Sequence, residues 1–167
     1  MYRTIQYSIL LVVLVMLQAL LFDNLVLVPF VFPMVYIAFV VLLPVRSSWL
    51  VQTVLGFAIG ALVDFSMGTA GINTIATTFI GFVRPWVMNL TMGQDVQYEL
   101  IPYGGNIERK EFLLYAVILV LLHNTLFFAF ESLGSHLPAT VLKIVCSTVI
   151  NLLLVWLTAA LFAATEK

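Results

Sequence analysis

The sequence predicts an all-α integral membrane protein with six transmembrane helices. Of its 167 residues, 63% are hydrophobic and only 9% are charged. Ordinary soluble domains are about half apolar and about a quarter charged, so a soluble domain of this size would leave too much apolar surface in water. Because a spanning helix takes about 20 residues, six spans nearly use up the chain and leave no room for a soluble domain.

Charge and cysteine content narrow the class further. The net charge of -1 gives no reason to expect a nucleic-acid partner. Cys146 is the one cysteine, so no internal disulfide is possible. The first apolar run begins almost at Met1 and lacks a small-residue cleavage site, which favours a retained span over a removed signal peptide.

The first two spans differ in regularity. Span 1 covers about 5–22, and its polar Gln18 is expected to make an inter-helix hydrogen bond. Span 2 covers about 30–43, but Pro29 and Pro33 interrupt its beginning. One possibility is a kinked helix that begins at Leu25. The other, which we favour, is an irregular segment followed by a short helix from Pro33.

Spans 3 and 4, at about 48–65 and 69–83, are predicted to form a tight helical hairpin. Gly56, Gly60 and Asp64 are spaced by four residues, so they share one face of a helix. Glycines allow a second helix to approach closely. We expect Asp64 to lie at the hairpin turn, where it either accepts hydrogen bonds from the amides at 66–71 or contacts a ligand or partner.

The fourth span carries many small and polar residues, including Gly71 and Asn73, which suit burial against other helices. Arg84 and Pro85 are expected to end its helix, because proline disfavours helical geometry in the preceding residue. The alternative is that residues 86–92 form an amphipathic continuation along the interface. Arg84 would then be an anchor at the membrane interface or, alternatively, a partner contact.

The last two spans are predicted at about 112–130 and 139–163, after a cytoplasmic loop at about 86–110. His123, Asn124 and Glu131 in span 5 and Lys143 in span 6 are candidate polar residues inside the membrane. One interpretation is that they hold two antiparallel helices together, with Glu131 paired to Lys143. The other is a polar cavity or proton path that includes His123.

The distribution of basic residues predicts the orientation. Six of the seven Lys and Arg residues fall on segments that six spans would place inside the cell: Arg3, Arg46, Arg84, Arg109, Lys110 and Lys167. Basic residues near span ends mark the cytoplasmic side. We therefore expect both termini in the cytoplasm.

Catalytic and metal-binding signatures are missing from the sequence. It contains no HExxH, no GxSxG and no GxxxxGK[ST] motif. Its two histidines and single cysteine have no metal-ligand spacing. We expect neither an enzyme, a metal nor a cofactor.

Three stretches carry a family resemblance. They are GFAIGALVDF at 56–65, GTAGIN at 68–73 and FVRPWV at 82–87. Together with LLPV at 42–45 and LLHNTLFF at 121–128, they resemble the rod shape-determining protein MreD family, in particular versions found in Bacteroidetes. The resemblance covers nearly the whole chain, although each motif alone is degenerate.

The resemblance implies a non-catalytic protein of the bacterial inner membrane with a fold akin to the S-components of ECF vitamin transporters. It implies partners of the cell-elongation machinery: an MreC-type protein, the MreB filament (directly or indirectly), a RodA-type glycosyltransferase and a class B penicillin-binding transpeptidase, together with membrane lipid. Gly56, Gly60, Asp64, Gly71 and Arg84-Pro85 would then serve helix packing and partner docking. The competing interpretation is a small-molecule-binding S-component-like subunit of a transporter.

Overall fold

A computed structural model describes residues 2–22, 30–93, 107–132 and 137–164. Within these ranges the chain forms six α-helices: α1 (Tyr2–Leu17, continued by a π-helical turn at Gln18–Phe22), α2 (Ile37–Val41), α3 (Trp49–Met67), α4 (Ile72–Met92), α5 (Arg109–Ser132) and α6 (Leu137–Ala164). Four stretches of this described part are long and apolar enough to cross a membrane: Thr4–Phe22, Trp49–Met67, Arg109–Ser132 and Leu137–Phe162. The helical class predicted from composition is confirmed, and the four stretches are compatible with a multi-pass membrane protein.

Helices α3 and α4 form an antiparallel hairpin with very close backbones. A Cβ atom added to Gly56 would lie 2.5 Å from Thr77 O, and one added to Gly81 would lie 2.6 Å from Gln52 O. At Gly60 the added atom would lie 2.6 Å from Thr74 Cα. Any side chain at these glycines would therefore push the two helices apart.

The centre of the molecule is the segment 34–43, which is buried along its whole length. Its only helix is α2, with five residues. The segment runs beside α5 in the opposite direction. The Phe32 ring lies 5.4 Å from that of Phe128, Tyr36 meets His123, and Val41 O accepts a 2.9 Å hydrogen bond from Tyr115 Oη.

Side chains from α6 and from the end of α1 pair the irregular backbone that precedes α2. Phe32 N donates to Ser147 Oγ at 3.0 Å, and Met34 N donates to Asn151 Oδ1 at 2.7 Å. Gln18 binds the same backbone: its Oε1 accepts from Val35 N, and its Nε2 donates to Pro33 O. Non-helical backbone at membrane depth is tolerated only where protein groups or water satisfy it, and these three side chains provide that pairing.

Three predicted boundaries are wrong. The second-span helix begins at Ile37 and not at Pro33, since residues 32–35 take their hydrogen bonds from neighbouring side chains. The fourth helix does not end at Arg84-Pro85 but continues to Met92, with Pro85 in its interior. The loop predicted from residue 86 therefore begins only after Met92. A membrane helix tolerates proline because neighbouring groups compensate for the lost hydrogen bond.

Candidate functional site

The carboxylate of Asp64 is the acceptor at the centre of the α3–α4 turn. Oδ2 accepts from Thr74 N at 2.7 Å and from Thr74 Oγ1 at 2.5 Å. Oδ1 accepts from Asn73 N at 3.2 Å, from Asn73 Nδ2 at 2.9 Å and from the Thr69 hydroxyl. Asp64 therefore caps the first turn of α4 from the end of α3. The amides it binds are those of 73 and 74, and not the predicted ones at 66–71, because the turn brings the exposed N–H groups of α4 onto the carboxylate.

Two glycines make that turn possible. Gly68 ends α3 with φ +66°, and Gly71 precedes α4 with φ +87°. These left-handed conformations are costly for residues that have a Cβ. An added Cβ at Gly71 would meet nothing within 4 Å, so Gly71 shapes the turn. The expectation that it packs against a helix is wrong.

A buried hydrogen-bonded chain leads inward from Asp64. Asn73, whose amide donates to Asp64, accepts from Tyr36 Oη at 2.5 Å. Tyr36 Oη in turn lies 3.4 Å from His123 Nε2. Asn73, Tyr36 and His123 are each at most 1% exposed. The site thus joins α3, α4, the central segment and α5, and it ends at His123 Nδ1, which has no hydrogen-bond partner among the described residues.

Arg84 forms a second polar cluster at the other end of the central segment. Its side chain is 0% exposed, so the prediction of an interfacial anchor is wrong. Nε donates to Tyr115 Oη at 2.6 Å, and Nη2 donates to Leu43 O and, at 3.4 Å, to Val41 O. A cation is favourable at a helix C-terminus, where backbone carbonyls lack intrahelical partners, and this explains why the guanidinium lies at the end of α2.

The remaining polar candidates connect α5 to α6. Asn124 Nδ2 donates to Thr148 Oγ1 at 3.0 Å, and its Oδ1 accepts from Asn151 Nδ2 at 3.2 Å. Glu131 and Lys143 are brought together as an ion pair with a 2.9 Å contact. His123 is not part of this connection, because its ring faces Tyr36.

These arrangements pair polar side chains with one another and with backbone groups of neighbouring elements. Both oxygens of the Asp64 carboxylate accept hydrogen bonds from protein donors. Across the described ranges, no group of three His, Cys, Asp or Glu residues is positioned to hold a metal. Asp64 and Arg84 bind backbone groups at helix ends, and side chains of α6 bind the backbone that precedes α2.

Sequence reasoning missed Tyr36, Tyr115 and Gln52, all nearly or fully buried. Tyrosines in membrane proteins are usually assigned to the interface, so no local pattern indicates that these two are buried. Gln52 did carry one, since it lies four residues before Gly56 and shares the face that leads to Asp64.

The comparisons with known proteins add no assignment. The chain matches no protein-family model, no curated protein and no solved structure.

Proposed function

We propose that the chain is a non-catalytic, multi-pass component of the bacterial inner membrane that acts in the rod-shape and cell-elongation machinery. In this role it helps to hold an MreC-type protein and the peptidoglycan synthases together. The proposal begins from the order and spacing of the three MreD-like stretches, which lie on α3 and α4 and on the turn between them.

The observation that carries the proposal is that the residues of those stretches make their contacts with other parts of the same chain. Gly56 and Gly60 lie against the α4 backbone. Asp64 accepts hydrogen bonds from the first turn of α4, and Arg84 donates to Leu43 O and to Tyr115 Oη inside the protein. Such contacts hold the described helices together, which suits a protein that binds partners through its outer surfaces.

We further propose six crossings with both termini in the cytoplasm. The segment that runs from Phe32 to Leu43 would be the second crossing, shielded from lipid by the surrounding helices. It accompanies α5 from Phe128 to Tyr115, about 20 Å of helix at 1.5 Å per residue, which is most of a hydrocarbon core of about 30 Å. Helix α4 has 21 residues and would be the fourth crossing.

The alternative, an S-component-like binder of a small molecule, is less well supported. The groove between α1 and α6 has a volume of about 520 Å³ and is lined almost entirely by apolar side chains. Vitamins need several polar partners to fix their orientation. This groove offers them few.

Depletion in the source bacterium tests the proposal. We expect rod-shaped cells to become round and prone to lysis, and we expect the tagged chain to co-purify with an MreC-type protein. The matched control is a strain that carries a second copy of the gene, which should restore rods. Normal elongation after depletion, or tight vitamin binding by the purified protein without an MreC-type partner, would contradict the proposal.

A further inference from the structure

A groove at the start of α3 is separate from the polar clusters described above. It has a volume of about 490 Å³, and it lies between the α2–α3 connection and the part of α4 that begins at Pro85. Its polar and aromatic walls are Arg46, Ser47, Trp49, Gln52 and Asn89. Small-molecule sites commonly have volumes of about 300–1,000 Å³, so the groove is large enough for a headgroup.

Gln52 provides an acceptor that the protein itself does not use. Its side chain is only 2% exposed, and its Nε2 donates to Ser47 O at 2.7 Å. Its Oε1 has no hydrogen-bond partner among the described residues. A buried acceptor without a partner is costly, and a hydrogen-bond donor that enters from the groove would satisfy it.

The charge of the groove favours an anion. Arg46 is exposed at its wall, and none of the described residues that line it is acidic. A guanidinium presents planar donors that match two phosphate oxygens at once. The groove therefore offers a phosphate contact beside an acceptor for a neighbouring hydroxyl.

The position of the groove fits the headgroup layer of a membrane. It lies at the first turn of α3, one of the four helices long and apolar enough to span. Trp49 and Trp86 are 54% and 56% exposed, and they flank Phe82 with ring distances of 6.1 and 5.0 Å. Exposed tryptophans concentrate at the membrane–water boundary.

We propose that this groove binds the headgroup of an anionic phospholipid whose phosphodiester carries a hydroxyl-bearing alcohol, as in phosphatidylglycerol. The phosphate lies against Arg46, and a glycerol hydroxyl donates to Gln52 Oε1. The inference does not depend on the elongation role, since it uses only the groove and its depth.

Native mass spectrometry of the full-length protein in detergent tests the site with three added lipids. Phosphatidylglycerol has both features, phosphatidylmethanol keeps the anionic phosphodiester but lacks the hydroxyls, and phosphatidylcholine lacks the net charge. We expect retention by the wild type to fall in that order. Arg46→Gln should weaken retention of phosphatidylglycerol about fivefold, the factor equivalent to about 1 kcal/mol for one basic residue at an anionic surface.

Two variants separate the contributions. Gln52→Met should abolish the preference for phosphatidylglycerol over phosphatidylmethanol, provided that its melting temperature shows a folded protein. Arg109→Gln removes an exposed arginine outside the groove and should leave retention unchanged. Equal retention of all three lipids by the wild type, undiminished retention by Arg46→Gln, or displacement of the lipid by millimolar inorganic phosphate would each overturn the proposal.

Discussion

Asp64 illustrates how hydrogen bonds accommodate a charged residue in an apolar chain. Its two oxygens accept five hydrogen bonds from Thr69, Asn73 and Thr74. Each backbone N–H that it binds would otherwise be an unpaired group at the start of α4. The carboxylate is therefore part of the hairpin, and its removal should be visible as lost stability.

We predict that Asp64→Asn lowers the free energy of unfolding by about 1–3 kcal/mol, because the new amide places donors against the donors of residues 69–74. Thermal unfolding of the purified protein in detergent measures the effect. Glu131→Gln is the matched control, since its ion pair with Lys143 is partly exposed and should contribute less than about 1 kcal/mol. Equal melting temperatures for wild type and Asp64→Asn would contradict the capping role.

A substitution of His123 tests whether this residue is structural or part of a proton path. Its approach to Tyr36 is a long hydrogen-bond contact of 3.4 Å, so His123→Leu should change stability by less than about 1 kcal/mol. Asn124→Leu, the neighbouring control, removes bonds to Thr148 and Asn151 and should cost about 1–3 kcal/mol.

The shape of cells that carry His123→Leu is a second test of the role of His123. We expect a strain that carries His123→Leu to remain rod-shaped at wild-type expression. A folded variant that fails to support elongation would instead favour a proton path and would weigh against a non-catalytic role.

Residue roles were predictable from sequence only where the partners are close in the chain. The capping role of Asp64 was among the predicted alternatives because its donors lie five to ten residues away. Arg84 was misplaced, since its acceptors Val41 and Leu43 lie more than forty residues earlier. No local pattern indicates which carbonyls a distant guanidinium will reach.

At the scale of elements, the α3–α4 hairpin depends on contacts that tolerate no added atoms. We predict that Gly60→Ala lowers the free energy of unfolding by about 1–3 kcal/mol, the usual cost of overpacking, because Thr74 Cα lies 2.6 Å from the added carbon. Leu62→Ala on the exposed face of α3 is the control and should have a smaller effect. The comparison is made by thermal unfolding, and an unchanged midpoint for Gly60→Ala would mean that the helices can separate without cost.

The elements themselves were predictable where apolar runs are long and uninterrupted. The third, fifth and sixth predicted spans lie largely within α3, α5 and α6. The fourth helix was cut short because the local preference of the residue before Pro85 was given too much weight. Packing of α4 against α3 and α5 outweighs that preference, and sequence alone does not report packing.

At the scale of the whole molecule, the number of crossings determines which loops face the cytoplasm. With six crossings we expect a fluorescent-protein fusion after Gly93 to be fluorescent and an alkaline phosphatase fusion there to be inactive. A phosphatase fusion after Ser132 should be active and serves as the control. Phosphatase activity at Gly93 would show that one proposed crossing is wrong.

The side-chain pairing of the irregular backbone before α2 has a consequence for how the chain is synthesised. The acceptors of the Phe32 and Met34 amides lie 115 and 117 residues later in the chain, on α6. Until α6 leaves the ribosome and enters the membrane, that stretch has to rest in the translocon, in water or on α1, because bare amides are not tolerated in lipid. A nascent chain arrested before residue 147 should therefore leave its second hydrophobic stretch accessible to cytosolic or periplasmic reagents, and completion of α6 should protect it.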